Sequence, residues 1–219
     1  MINCGIAPVT PVPANFLFQT TDPATNQLTG TPNTRVPIAA GGTQSYLVAF
    51  TPNAPFVPAN VTFGYDCDQV DAVGTIVGVN TLLLTFSATP VPDMIAVGLT
   101  PSNDGYSHTG GMSGTGIFVI AATNIGASGQ LTAQVALANS TMPLTATVCQ
   151  TNSSTGQCVA PPSASVTTTI NQNQNTTWTA FLTASGTITQ NPASNRVFFE
   201  FLDRGGIVRG STSVAVTTQ

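Results

Sequence analysis

Val61-Thr62-Phe63-Gly64-Tyr65-Asp66 and Val197-Phe198-Phe199-Glu200-Phe201-Leu202 read as the same kind of segment in two parts of the chain. In the first, Val61, Phe63 and Tyr65 alternate with Thr62, Gly64 and Asp66. In the second, Val197, Phe199 and Phe201 alternate with Phe198, Glu200 and Leu202. A period of two places successive side chains on opposite faces of an extended backbone, so both segments are strands. Around them lie further short runs rich in Val, Thr, Phe and Ile, among them Tyr46–Thr51, Thr81–Ser87, Met94–Leu99, Gly116–Ala122, Leu131–Leu137, Leu144–Cys149, Ser165–Ile170, Thr177–Thr183 and Ser213–Thr218. Gly and Pro, 20 and 16 of the 219 residues, punctuate the intervals. No window carries a capped 3.6-residue apolar period. The fold class is all-β, and the spacing of the runs favours a sandwich over a barrel.

The two quoted segments belong to a longer internal repeat. A shift of 132 residues lays Ile38 on Ile170, Tyr46 on Trp178 and Thr51 on Thr183. Four extra residues in the next loop bring Val61, Phe63 and Tyr65 onto Val197, Phe199 and Phe201, and their removal brings Leu82 and Leu84 onto Val214 and Val216. Upstream, Phe18-Gln19-Thr20 matches Cys149-Gln150-Thr151 with a one-residue gap. That alignment expects one hairpin closed by a Phe18/Leu28 apolar pair in the first copy and by a Cys149–Cys158 disulfide in the second. The expected architecture is two tandem Ig-like β-sandwich domains, residues 1–89 and 90–219, joined at the Pro-rich connector Thr89–Asp93. The second copy has extra strands ahead of its hairpin, where the first has a lead containing Pro8, Pro11 and Pro13. A sandwich short of strands exposes backbone donors and acceptors, so either the lead covers that edge, held by Cys4–Cys67, or a strand of another chain pairs with it. The second copy stops at the point where another connector would begin, so the sequence reads as cut from a tandem array or as a unit built to abut another.

Composition narrows the chemistry. Only 5% of residues are charged, against about 25% in an ordinary soluble domain, and the net charge is −4. The four basic residues are Arg35, Arg196, Arg204 and Arg209, so no lysine is present for a Schiff base or a phosphate-binding loop, and nucleic-acid binding is excluded for want of a basic patch. No run approaches the roughly 18 to 20 apolar residues of a membrane helix, so membrane insertion is not expected. The opening Met1-Ile2-Asn3-Cys4 lacks a signal-peptide pattern, which suits a mature or recombinant segment or a cytosolic protein. The cysteines favour the former. Four of them, with no CxxC and one histidine, fit disulfides better than zinc, hence an oxidising compartment and an extracellular or cell-surface location.

Candidate sites are few. Asp66, Asp68 and Asp71 flank Cys67 and offer oxygen ligands for calcium, but the spacing lacks the glycine and distal glutamate of an EF-hand loop, so a solvated loop is the simpler expectation. No other cofactor is indicated. Ser107 and His108 lie in a Gly-rich loop near Asp104 without the convergence of a catalytic triad. Glu200, the sole glutamate, is expected to pair with Arg196, Arg204 or Arg209. Tyr106 is the one aromatic expected in a loop and, with His108, the place where a glycan would face the protein. Tyr46 and Trp178, at matching repeat positions, are expected in the core. No catalytic residues are assigned.

The stretch from Ile38 to Pro52, IAAGGTQSYLVAFTP, resembles the extracellular Ig-like repeats of large bacterial surface proteins, of the Hydin and choice-of-anchor type. In these a Gly-Gly-Thr turn leads into an aromatic-bearing strand ending in Phe-Thr-Pro. The second copy has Asn171–Asn175 in place of the Gly-Gly turn. The resemblance implies a structural or adhesive module. The repeat, the disulfide spacing and the Pro-rich connector extend this to the expectation of a segment of a stalk, adhesin or filament that contacts neighbouring copies or domains of the same protein and assembles by edge-strand pairing. A carbohydrate- or matrix-binding module of a secreted multidomain protein is the alternative.

Overall fold

A computed structural model describes residues 1–68, 70 and 73–219. The described residues form fourteen strands and no helix, and the chain divides into two compact units, Met1–Ala88 and Thr89–Gln219.

In the second unit the strands are β6 (Met94–Leu99), β7 (Tyr106–His108), β8 (Thr115–Asn124), β9 (Gly129–Leu137), β10 (Leu144–Thr151), β11 (Ser165–Ile170), β12 (Asn175–Ala184), β13 (Arg196–Leu202) and β14 (Val208–Thr217). They build one sheet in the order β10-β12-β8-β6 and another in the order β11-β9-β13-β14-β7. Alternate residues of β8 and β13 point inward, and the sheets meet across Phe118, Trp178, Phe199 and Phe201, all essentially inaccessible. Trp178 of one sheet stands edge-on to Phe201 of the other, with centroids 5.6 Å apart. Buried Asn124 ties the end of β8 to its neighbours. Its Oδ1 accepts from the Asp93 and Gly126 N–H groups, and its Nδ2 donates to the Ala127 and Ile170 carbonyls.

The first unit is a thinner version. Its strands are β1 (Gly5–Pro8), β2 (Ala14–Thr21), β3 (Ser45–Pro52), β4 (Phe56–Asp66) and β5 (Thr81–Phe86). They form a sheet in the order β1-β4-β5 and a two-stranded sheet β2-β3. Phe16 of β2 and Phe50 of β3 pack on Phe63 of β4, which joins the two sheets. Among the described residues its buried cluster is Ile6, Phe18, Val61 and Phe63, against twenty residues in the second unit.

Strand register relates the units. Val61 pairs with Leu82 on β4·β5, and Val197 with Val214 on β13·β14. Ile6 pairs with Tyr65 on β1·β4, and Ala133 with Phe201 on β9·β13. The Pro-rich lead therefore supplies the counterpart of β9. A Cys4–Val36 bridge beside it matches the β9·β11 pairing of Leu131 with Thr168. β2 and β3 correspond to β10 and β12, while the first unit has no described counterpart of β6, β7 or β8.

The hairpin alignment differs from the sequence expectation. Thr21 bridges Leu28 and Thr151 bridges Cys158. The Asn26 N–H donates to the Asp22 carbonyl and the Gly156 N–H to the Asn152 carbonyl. These pairs superimpose without a gap and place Gln19, not Phe18, on Cys149. Phe18 is buried against Tyr46 while Leu28 is 55% exposed, so the anticipated Phe18/Leu28 pair does not form.

Candidate functional site

The clearest asymmetry between the units lies along β3. The Asn53 N–H donates to the Pro13 carbonyl, and the Ser185 N–H donates to the Pro143 carbonyl. These are the same bond in two copies, and they fix which residues turn their backbone groups toward β2 or β10. In an antiparallel ladder that role alternates. Ser45, Leu47, Ala49 and Thr51 face β2, and Tyr46, Val48 and Phe50 face the other way. Their counterparts Trp178, Ala180 and Leu182 face β8, opposite Ile120, Phe118 and Gly116. Among the described residues no strand occupies that side of β3. The packing reflects the difference: Trp178, Ala180 and Leu182 are buried to 1% or less, whereas Tyr46, Val48 and Phe50 are only half-buried.

The carboxylates near Cys67 are held by an arginine. Arg35 Nη2 lies 3.1 Å from Asp66 Oδ1 and 3.5 Å from Asp68 Oδ1, and Asn3 Nδ2 donates to both oxygens of Asp68. The guanidinium thus lies between two of the three carboxylates named as calcium candidates. Asp71 lies outside the described residues. Cys4 and Cys67 are joined by a disulfide that fastens the start of β1 to the end of β4, and Cys149 is joined to Cys158 across the β10 hairpin.

Tyr106, Ser107 and His108 form a short strand parallel to β14, not a loop. Ser107 is inaccessible and donates to the Ile117 carbonyl. His108 Nε2 is 2.8 Å from Asp104 Oδ2, and Nδ1 is 2.8 Å from the Gln219 carbonyl. With an acceptor at each ring nitrogen, the doubly protonated imidazolium satisfies both contacts. The Gln219 carbonyl and the Asp104 carboxylate raise the His108 pKa, and hydrogen bonds from His108 and from the Tyr106 N–H to the Asp104 carboxylate lower that of Asp104. Tyr106 contacts the His108 ring at 6.0 Å, while Trp178 lies in the core.

Glu200 does not pair with an arginine. It stands opposite Gln134 on β9, whose amide hydrogen-bonds to it, while burial pushes its pKa up and the Gln134 contact opposes that. Asp203 takes the ion pair instead, with Arg209 Nη2 at 2.7 Å. Burial acts to raise the Asp203 pKa, but the Ile207 N–H, Arg209 and the Gly205 N–H together bring it below the usual value. Arg196 is buried and donates to Ser213 Oγ and the Ser213 and Pro192 carbonyls. Arg204 donates to Gln130 Oε1 beside a shallow groove that includes Pro92 and Thr169.

Beside these contacts, the edge of β3 stands out because its counterpart in the second unit is covered by β8. Sequence reading anticipated an incomplete first copy but not which strand is left bare.

No family model matches the chain, and no curated protein does. Among the solved structures that align with it are two of BcpA, the major pilin subunit of Bacillus cereus. A variant of that subunit is 13% identical over 93% of this chain and 64% of its own, with a TM-score of 0.32. The unmodified subunit is 12% identical over 98% of this chain and 69% of its own, with a TM-score of 0.28. This chain spans about two thirds of the pilin's length. Likeness at this level is confined to β-rich architecture.

Proposed function

We propose that this chain is a non-catalytic structural segment of an extracellular assembly, a subunit or segment of a surface stalk, adhesin or filament, with neighbouring copies or domains of the same protein as its partners. The observation that carries the reading is that one sandwich is built twice, complete in the second unit and open along β3 in the first. An open edge strand is a template for another chain. Two disulfides suit an oxidising compartment. The surface is wetted by Thr, Ser and Asn, which pack against other modules without the desolvation cost of charges.

The test uses the protein isolated from its own source. Alkylation without reduction should leave all four cysteines unmodified, and protease applied to intact cells should remove the chain from the surface. Free thiols together with protection from external protease would overturn the reading.

A further inference from the structure

We infer that the first unit pairs with the first unit of a second copy through β3, antiparallel about Val48, to give a continuous β2-β3-β3-β2 sheet. The inference rests on the assembly reading above and specifies its contact.

The second unit shows what the first lacks. On β12 the outward-facing backbone groups of Trp178, Ala180 and Leu182 are satisfied by β8, and that pairing closes the core beneath them. The counterparts Tyr46, Val48 and Phe50 carry the same groups to an edge with no described partner and leave their side chains half-buried. A strand that completes this edge as β8 completes β12 is antiparallel and uncharged, with a buried residue at every second position. β8 has that pattern, its Gly116, Phe118, Ile120 and Ala122 all being buried.

β3 has it too. Ser45–Pro52 contains no charged residue, and its inward positions are Tyr46, Val48 and Phe50. Two such strands related by a two-fold axis through Val48 place Tyr46 opposite Phe50 of the second copy. The N–H and C=O groups that meet are then those of Tyr46, Val48 and Phe50, the ones turned away from β2. A two-fold normal to the sheet keeps both inward faces on the same side, so the half-buried rings of one copy extend the core of the other. The product has four strands, as in the β10-β12-β8-β6 sheet. Protected edges carry lysine, an inward charge, a bulge or an early proline. The ladder between β2 and β3 is regular, neither strand is charged, and the one proline of β3 is its last residue, Pro52. A two-fold contact sets each side chain against copies of its neighbours, so the lack of charge also removes like-charge opposition.

In this register exposed Leu47 stands opposite Ala49 of the second copy on the outer face. Sedimentation velocity on the intact chain over a concentration series tests the pairing. The unmodified chain should form a dimer. Leu47→Lys with Ala49→Lys, two exposed positions, sets lysine against lysine at both crossings and should weaken dimerisation by about tenfold or more, with far-UV circular dichroism unchanged, and melting unchanged at concentrations where both chains are monomeric. Leu47→Glu with Ala49→Lys sets opposite charges across the axis and should restore the dimer. A chain that stays monomeric throughout overturns the pairing. A dimer indifferent to both variants places the contact elsewhere, for example on β5, and also overturns it while leaving the assembly reading intact. Free thiols and an internal location of the native protein would instead remove the assembly reading and leave the pairing to stand or fall by sedimentation alone.

Discussion

Gln19 and Cys149 occupy the same position in two copies of one hairpin, and each closes it with a different bond. Cys149 is joined to Cys158 by a disulfide. Gln19 donates its side-chain amide to the Thr29 and Gly30 carbonyls on the opposite arm. The turns between the arms share their main hydrogen bonds. Asp22 Oδ1 accepts from the Ala24 and Thr25 N–H groups, and Asn152 Oδ1 from those of Ser154 and Thr155. Asn26 and Gly156 take the left-handed conformation at the same step, with φ of 56° and 71°.

That equivalence predicts a new disulfide. Gln19→Cys with Leu28→Cys should oxidise without forcing, since the Cα atoms of Cys149 and Cys158 stand 5.6 Å apart in the matching hairpin. Closing so short a loop should stabilise the first unit by about 2.5 kcal/mol. Intact mass after alkylation and the melting temperature check this. Two alkylated thiols in the oxidised protein would show that the hairpins are not equivalent.

Reduction should affect the units unequally. Cys4–Cys67 spans 63 residues and Cys149–Cys158 spans 9. The chain-entropy relation gives about 4 and about 2.5 kcal/mol respectively, and the first unit has by far the smaller core. Trp178 is the sole tryptophan, so its fluorescence reports the second unit alone. A reductant should move the far-UV transition of the first unit well below the fluorescence transition. Coincident shifts would contradict this.

Asn124→Ala removes four hydrogen bonds at a buried junction between β8, β11 and the entry to β6. The Ile170 carbonyl is left buried without its partner while the other three groups are only part-buried, so the second unit should lose about 2 kcal/mol. Urea denaturation followed by Trp178 fluorescence measures it, and a loss below about 1 kcal/mol would contradict the assigned network.

His108 should titrate above the ordinary imidazole value of 6.5, because the Gln219 carbonyl and Asp104 both favour its protonated form. A raised folded-state pKa means that its contribution to stability is complete below the unfolded value and is lost as pH rises through the folded one. The side chain is 38% exposed, so the effect on stability is small and the pKa itself is the better readout. NMR titration should place it above 6.5, and Asp104→Asn should bring it down. A value unmoved by that change would show that the contact is absent in solution.

The strands with clear alternation were legible in the sequence because a half-buried strand writes its two faces into every second residue. Val61–Tyr65 and Val197–Leu202 both fall within observed strands. β1 was not legible: four residues ending in Pro8 carry no period, and the segment is extended because β4 and Val36 supply partners on either side. The one-residue hairpin error came from matching apolar character, when the position of Cys149 is held by a hydrogen-bonding amide. Glu200 was assigned to an arginine nearby in sequence, but its neighbour across the sheet is Gln134. Proximity along the chain does not report what stands opposite on the next strand. Nothing in the sequence marked Asn124 apart from other asparagines, since its role exists only once β8 and β11 end together.

Residue-resolved amide hydrogen exchange bears most directly on the account as a whole. In dilute solution the amides of Tyr46, Val48 and Phe50 should exchange rapidly while those of Trp178, Ala180 and Leu182 stay protected, and raising the protein concentration should slow the first set alone. If Tyr46, Val48 and Phe50 are already as protected as their counterparts in the dilute monomer, or if concentration leaves them unchanged, then β3 is not an open edge that a second copy fills.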